Sequence, residues 1–139
     1  MQFSQFLKYV LPVMVILLVA GCKPDVKSRT ELLTEVQWGF QGILSSTLEP
    51  DEFNGYKEFF EKVLIKYNTD GTYDVNFIDN IADPYSGTWV FNSDETNITQ
   101  DEGTDDEGRL VIISLAEGAF SYAFTDSLGT YELSWVHAQ

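Results

Sequence analysis

The chain has 139 residues, 22 of them acidic and 8 basic, so its formal net charge is −14. A body this acidic repels nucleic acid and anionic lipid headgroups, which argues against both as partners of the folded domain. The chain contains one cysteine, Cys22, which cannot form an internal disulfide, and one histidine, His137, so it offers too few nitrogen and sulfur ligands for a zinc site.

The amino-terminal residues have the layout of an export signal. Lys8 supplies a positive charge, residues 9–20 carry none, and the small residue Gly21 precedes Cys22. A secretory signal has an apolar region of about 7–15 residues, whereas a transmembrane helix needs about 20. We therefore predict that residues 1–21 are a signal peptide. A retained membrane anchor, or a signal followed by a chance cysteine, is the alternative.

The order Leu-Val-Ala-Gly-Cys at residues 18–22 resembles the lipobox of bacterial lipoproteins. The resemblance implies that the sulfur of Cys22 is diacylated, that the chain is cleaved before it, and that the new amino terminus is acylated. Several acyl chains give firm anchoring at about 0.8 kcal/mol per buried methylene. Lys23 follows where an aspartate would indicate retention in the inner membrane, so the resemblance also implies an outer-membrane address.

Residues 22–29 are predicted to form a lipidated tether and residues 30–139 a single domain. Three basic residues, Lys23, Lys27 and Arg29, lie in the tether, whereas the domain beyond it is strongly acidic. The domain is long enough to bury a core of its own. Its charge predicts solubility and repulsion from an anionic cell surface, and a patch for a cation or a basic partner is the alternative.

Two short helices are expected before the strands become regular. The motif Ser-Arg-Thr-Glu at residues 28–31 matches a capping box and predicts a helix that extends to about Val36. A second helix is predicted after Asp51, because aromatic residues recur at helical spacing as far as Phe60. Gly55 weakens that helix by about 1 kcal/mol relative to alanine. The aromatic stripe is more typical of core packing than of a ligand site.

Eight strands are predicted from runs in which apolar and polar residues alternate. They are residues 38–46, 63–68, 72–78, 87–92, 96–100, 109–115, 119–125 and 130–137. Short turns connect consecutive strands, as at Thr69-Asp70-Gly71. Closing such a meander pairs the edges that would invite aggregation. The predicted fold is therefore mainly β: an eight-stranded antiparallel up-and-down barrel with one or two short helices.

Alternation also predicts which side chains share a face. In the first strand, Trp38, Phe40, Gly42 and Leu44 are expected on one side. In the fourth strand, the two aromatic residues of Trp-Val-Phe at 89–91 share one face and the valine takes the other. The strand at 109–115 is apolar on both faces, so we expect one of the helices to cover its outer side.

The sequence LIKYNTDGTY at residues 64–73, followed by GTWVF at residues 87–91, resembles the lipocalin-like domains found in lipoproteins of Bacteroidetes-type bacteria. The resemblance extends over most of residues 38–135 and implies the barrel. In true lipocalins the Gly-x-Trp motif opens the first strand, whereas here it lies in the fourth. No ligand-contact residue is therefore carried over from that family.

The leading functional hypothesis is non-enzymatic binding of a small, largely apolar molecule in the barrel mouth. Eight strands enclose space for packed side chains or for one small ligand. The aromatic side chains expected to line that space are Tyr73, Phe77, Trp89, Phe91, Phe120, Tyr122, Phe124, Tyr131 and Trp135. The same rings would also suffice to fill the interior, and a filled barrel favours the alternative, an interaction or accessory subunit of a cell-envelope complex.

The sequence predicts no catalytic residue, metal or cofactor. With 22 acids, chance carboxylate pairs are plentiful, so no pair is singled out for acid–base chemistry. Residues 68–74 do not fit an EF-hand loop, because Lys66 and Phe77 stand where acids are needed. Residues 101–108 carry five carboxyl groups, from which a calcium site could be assembled. Like charges in such a loop are more typical of a solvated tip.

Overall fold

A computed structural model describes residues 25–139. The predicted signal peptide, residues 1–21, and the lipidation of Cys22 lie outside the described residues. The elements are α1 Arg29–Thr34, β1 Gln37–Ser46, α2 Pro50–Phe60, β2 Val63–Tyr67, β3 Thr72–Phe77, a 3₁₀ turn Ile78–Asn80, β4 Tyr85–Phe91, β5 Asn97–Gln100, β6 Gly108–Ala116, β7 Ala119–Thr125 and β8 Thr130–His137. In this part of the chain, no helix is long and apolar enough to cross a membrane.

The eight strands form one closed antiparallel barrel in chain order. Each strand pairs with the next, and β8 returns to pair with β1 from Trp38↔His137 to Ser46↔Tyr131. This confirms the predicted fold class. All eight predicted strands are present, with ends that differ by at most two residues. The largest difference is at β4, which begins at Tyr85 because that residue pairs with Val75 of β3.

The meander gives the barrel two distinct ends. The α1 end carries helix α1 and the β2–β3, β4–β5 and β6–β7 turns. The α2 end carries the long β1–β2 connection with helix α2, together with the loops at residues 78–84, 101–107 and 126–129. Because consecutive antiparallel strands reverse direction, the three turns of the α1 end lie near one another, and so do the four connections of the α2 end.

Helix α1 closes the α1 end of the barrel. The capping box is confirmed: the Glu31 N–H donates to the Ser28 hydroxyl at 3.1 Å, and the Ser28 N–H donates to the Glu31 carboxylate at 2.7 Å. Leu33 is fully buried, and its carbonyl accepts a 2.9 Å hydrogen bond from the indole N–H of Trp38. The helix contacts β2 and β6, which lie on opposite sides of the barrel, so it spans the opening.

Helix α2 lies over the other end. Pro50 occupies its first turn, where the missing N–H costs nothing. Tyr56 packs its ring edge-on against Tyr131 at a centroid distance of 5.0 Å, and Phe60 stacks with Phe40 at 5.8 Å. None of the residues of α2 is itself buried, so the helix is held on the barrel by these ring contacts and by a hydrogen bond from the Tyr56 hydroxyl to Asp126.

The structure corrects the expected face of Leu44. Strand β1 is irregular against β8 between Phe40 and Gly42 and again between Ile43 and Ser45. Each irregularity changes which side chains face inward. Leu44 is therefore 59% exposed, and Ile43 packs against the core instead. The prediction that Leu44 shares the inner face with Trp38 was wrong.

The expected cover over the sixth strand is also absent from the described residues. Val111 and Ile113 of β6 are 48% and 49% exposed, because both helices lie at the barrel ends and not against its wall. The alternation predicted for β4 is confirmed: Trp89 is 9% exposed, whereas Val90 is 44% exposed.

Candidate functional site

A cavity of about 180 Å³ lies inside the barrel at the α2 end. It is lined by Phe59, Phe60, Val63, Ile65, Tyr73, Val75, Tyr85, Gln100, Leu110, Tyr122, Phe124, Tyr131 and Leu133. Of these thirteen residues, seven are aromatic, five are aliphatic and one, Gln100, is polar; none is charged. The wall is therefore apolar with a single amide group in it.

The space exists because the inward positions of this half carry moderate-sized side chains. Ile65 of β2 pairs with Val75 of β3, and both are buried. Leu110 of β6 and Leu133 of β8 are buried on other strands of the same interior. In a small barrel the inward side chains decide whether the interior is filled or open. Four branched aliphatic residues leave room beneath α2.

The α1 half of the interior is filled by larger rings. Trp38 lies 5.5 Å from Phe120, and Tyr67 lies 5.7 Å from Trp89 and 6.3 Å from Phe120, measured between ring centroids. The indole N–H of Trp89 donates to the Asn68 carbonyl at 3.0 Å, which fixes the ring at this end. None of these four rings is part of the cavity wall.

The structure brings four of the nine predicted ligand-binding residues into the cavity wall: Tyr73, Tyr122, Phe124 and Tyr131. The other five, described in turn below, pack elsewhere.

Three of those five, Trp89, Phe91 and Phe120, pack in the α1 half, where Trp89 and Phe91 meet edge-on at 5.3 Å. The remaining two, Trp135 and Phe77, pack against side chains of neighbouring strands and of α2. Trp135 lies among Phe40, Phe60 and Tyr122, and Phe77 packs against Phe59 at 5.8 Å. Neither Trp135 nor Phe77 is part of the cavity wall.

Sequence reasoning missed several lining residues. The aromatic stripe of the second helix, which includes Phe59 and Phe60, is typical of core packing. Tyr85 lies before the predicted fourth strand. The sequence therefore does not show that these three residues meet over the cavity. Gln100 is the last residue of β5, and the alternation of that strand does not indicate that its side chain lines the cavity. Ile65 and Val75 could have been found from the alternation of their strands, which places both side chains on the inner face, opposite each other across the first hairpin.

Tyr73 is held in the wall by a carboxylate of the acidic loop. Its hydroxyl donates to Asp101 at 2.5 Å, and the other Asp101 oxygen accepts the Thr88 N–H at 2.8 Å. Burial raises the pKa of the Tyr73 phenol, and the hydrogen bond to Asp101 raises it further. At Gly87, a Cβ would lie 2.3 Å from the Asp101 carboxylate and 2.5 Å from the Tyr73 ring, so only glycine leaves room for this contact.

A second carboxylate ties α2 to the barrel. The hydroxyls of Tyr56 and Tyr131 both donate to one oxygen of Asp126, at 2.6 and 2.9 Å. The other Asp126 oxygen accepts the backbone N–H groups of Leu128 at 2.9 Å and Gly129 at 3.2 Å. Burial alone would raise the pKa of Asp126, but these hydrogen bonds outweigh it and hold the pKa below its ordinary value. Burial likewise raises the pKa of Tyr131.

The polar groups deeper in the barrel are uncharged. The Gln100 amide donates to the Tyr67 hydroxyl at 3.0 Å, and Tyr67 is fully buried. Burial raises the pKa of Tyr67 well above its ordinary value, and it raises the pKa of Tyr122 as well. The tyrosines of the interior are therefore neutral across the physiological pH range, and the cavity offers phenol and amide groups without a formal charge.

The loops around the cavity are strongly acidic. The connections at residues 47–62, 78–84, 101–107 and 126–129 contribute five, two, five and one acids, thirteen in all, against two lysines. Both lysines are paired, Lys57 with Glu61 at 2.5 Å and Lys62 with Asp79 at 2.9 Å. Residues 25–36 and the three turns of the α1 end together hold seven acids and two bases. Most of the negative charge thus surrounds the cavity.

The acidic loop does not assemble a metal site. Among residues 25–139, no three carboxylate, histidine or cysteine side chains converge as ligands of one ion would. The carboxylates of Asp101 and Glu107 instead accept hydrogen bonds from Thr88 and Gly103. These contacts organise the loop itself.

No protein-family model matches the chain, and no curated protein sequence is significantly similar to it. The described residues form a helix-capped, eight-stranded antiparallel barrel with an apolar cavity beneath α2. The function is therefore argued from this cavity, its wall and the loops around it.

Proposed function

We propose that this protein is a lipid-anchored lipoprotein of the cell envelope whose barrel binds a small, largely apolar molecule without catalysis. The observation that carries the proposal is the cavity of about 180 Å³. An apolar protein cavity of roughly 150 Å³ stays dry and takes up benzene, so the space suits a molecule about one ring in size. It is smaller than the roughly 300–1,000 Å³ typical of sites for drug-sized ligands.

The wall supports binding over chemistry. Its two best-anchored phenols, Tyr73 and Tyr131, donate hydrogen bonds to the carboxylates of Asp101 and Asp126. Their raised pKa values keep both phenols protonated at neutral pH, so neither is available as a general base. The aliphatic residues on the remaining strands supply surface for an apolar ligand to bury.

The position of the tether supports an anchored arrangement. The described chain begins at Asp25 beside α1, and Lys27 bridges Glu35 at 2.5 Å and Glu117 at 3.0 Å at that end of the barrel. A lipid on Cys22 would thus place the membrane at the α1 end, with the cavity at the far end. The ligand would reach the barrel from the aqueous side, and we propose an outer-membrane address for the anchored domain.

Native mass spectrometry of the chain, extracted gently in detergent from its host, tests the binding function. We expect an additional small mass on the wild-type protein. Leu110→Phe, which fills the cavity from a site only 2% exposed, should lose that mass, whereas Val111→Phe, at an outward site 48% exposed, should keep it. An intact wild-type protein without additional mass, or equal mass on both variants, would contradict the proposal.

The anchor is tested separately. We expect the mature chain to carry the mass of acyl groups on its first residue and to partition into detergent. Cys22→Ser should abolish both properties while leaving the barrel folded, as judged by circular dichroism. A wild-type chain that stays in the aqueous phase would show that the domain is not lipid-anchored.

A specific observation favours the alternative, an accessory subunit of an envelope complex. The apolar side chains of Val111 and Ile113 on the outer face of β6 are about half exposed, and Val90 of β4 is 44% exposed. Exposed apolar surface of this kind marks interaction sites when it is contiguous. A partner protein that co-purifies with wild type and is lost in Val111→Lys would support this role; loss in Leu110→Phe instead would point back to the cavity.

A further inference from the structure

We propose that the molecule bound in the cavity is a weakly hydrated organic cation about one ring in size, such as a quaternary ammonium or an alkylpyridinium. The inference rests on the proposed binding function and adds the charge of the ligand to it. Three observations carry it: the aromatic wall, the carboxylates bonded to that wall, and the charge of the surrounding loops.

Aromatic rings dominate the cavity wall. Seven of its thirteen residues are phenylalanine or tyrosine. An aromatic ring attracts a cation held within about 6 Å of its centroid, and the attraction is stronger when water is excluded. Tyr73, Tyr122 and Tyr131 are only 5%, 5% and 2% exposed, so these three rings are desolvated, whereas Phe59 and Tyr85 are about half exposed. A neutral apolar molecule would gain burial alone, whereas a cation would gain burial and this attraction.

Two tyrosines of the wall are backed by carboxylates. Tyr73 donates to Asp101 at 2.5 Å and Tyr131 donates to Asp126 at 2.9 Å. A phenol that donates to a carboxylate gains electron density, and each carboxylate adds a negative charge one side chain behind the wall. None of the thirteen lining residues is positively charged, and Arg109 of β6 is exposed on the outer surface. No side chain of the wall could form an ion pair with a bound anion.

The charge of the surrounding loops also favours a cation over an anion. The four connections of the α2 end carry thirteen acids, and their two lysines are already paired with acids. Like-signed charges around a low-dielectric opening raise the local concentration of oppositely charged molecules and repel the others. Cations are therefore concentrated where the cavity lies, and carboxylates such as fatty acids are kept away.

Hydration decides which cations fit. Burying a strongly hydrated ammonium costs several hydrogen bonds to water, and the wall could replace them only with the Gln100 amide oxygen and the tyrosine hydroxyls, none of which is charged. A cation whose charge is spread over methyl groups or an aromatic ring loses little hydration. This selects alkylated ammonium and pyridinium groups over primary amines and metal ions.

The test compares three probes of similar size: N-methylpyridinium, its neutral isostere toluene, and benzoate. Binding to the full chain is followed by NMR shifts of the side chains that line the cavity. We expect N-methylpyridinium to bind about tenfold more tightly than toluene, and benzoate not to bind. Equal or tighter binding of toluene would overturn the cation inference while leaving the proposed binding function intact. If no probe binds and the native protein carries no small molecule, both are wrong.

Charge-matched variants test the role of the loops. One variant neutralises three acids of the 101–107 loop whose carboxylates make no hydrogen bond within the described residues: Glu102→Gln, Asp105→Asn and Asp106→Asn. The control neutralises three acids of the α1 end: Glu35→Gln, Glu95→Gln and Glu117→Gln. We expect the first to weaken association of N-methylpyridinium about threefold or more at low salt, and the control to leave it unchanged. Equal effects would show that only net charge is involved.

Discussion

Replacing Asp126 by asparagine is expected to loosen α2 and to destabilise the protein at neutral pH. One oxygen of the carboxylate accepts the hydroxyls of Tyr56 and Tyr131, and the other accepts two backbone N–H groups. Hydrogen bonds to a charged group contribute about 1.5–3 kcal/mol each. Because the side chain is only partly buried, solvent reduces their sum, and we expect Asp126→Asn to lower the free energy of unfolding by about 2 kcal/mol.

The pKa of Asp126 determines how its contribution to the free energy of unfolding changes with pH. The folded-state pKa of Asp126 lies below its ordinary value. Its contribution is therefore complete above the unfolded pKa of about 3.9 and is lost as the pH falls through the folded value. The difference between wild type and Asp126→Asn, measured by urea unfolding with tryptophan fluorescence, should shrink in acid. A difference that is constant across this range, or absent at neutral pH, would refute the reasoning.

Two further variants isolate the bond between α2 and the barrel. Tyr56→Phe removes one hydroxyl and keeps the ring that packs on Tyr131. In a double-mutant cycle with Asp126→Asn, we expect a coupling free energy of about 1 kcal/mol. Glu102→Gln, an exposed acid of the same end, is the control and should change the free energy of unfolding by less than about 0.5 kcal/mol.

Three other substitutions have expected effects on stability, each measured by urea unfolding. Gly87→Ala should cost about 1–3 kcal/mol, because its Cβ would lie 2.3 Å from Asp101 and 2.5 Å from the Tyr73 ring. Gly55→Ala in α2 is the matched opposite: nothing lies within 4 Å of its Cβ, so it should stabilise by up to about 1 kcal/mol. Leu33→Ala, at a fully buried site, should cost about 2–5 kcal/mol; a cost below 1 kcal/mol would show that α1 does not close the barrel.

The barrel could be predicted from the sequence because its signals are local. Alternation with period two identifies each strand, and a glycine turn such as the one at Gly71, whose φ is +84°, identifies the hairpin. Once eight strands are joined by short turns, closure follows from pairing the two edges. Even the opposite faces of Trp89 and Val90 are decided by position in the strand alone.

The cavity could not be predicted in the same way, because it depends on register between strands distant in sequence. The aromatic count is the same whether the rings fill the interior or line a space. Alignment of adjacent strands places Trp38 and Phe120 together at one end, and leaves Leu110 and Leu133 at the other. The irregularities of β1 that turn Leu44 outward are likewise set by its pairing with β8. No pattern within a single strand contains this information.

The two helices close the barrel in different ways, and the difference points to the end at which the proposed ligand would be exchanged. α1 is integrated into the fold: Leu33 is buried, its carbonyl accepts the Trp38 indole N–H, and Lys66 donates to the Thr34 carbonyl. α2 buries none of its own residues and is held by ring contacts and by the Tyr56 hydroxyl. Elements with few buried contacts open first. The end next to the proposed anchor is thus the more firmly closed one, and the end with the cavity, the acidic loops and the loosely held helix is the one suited to exchange with solvent.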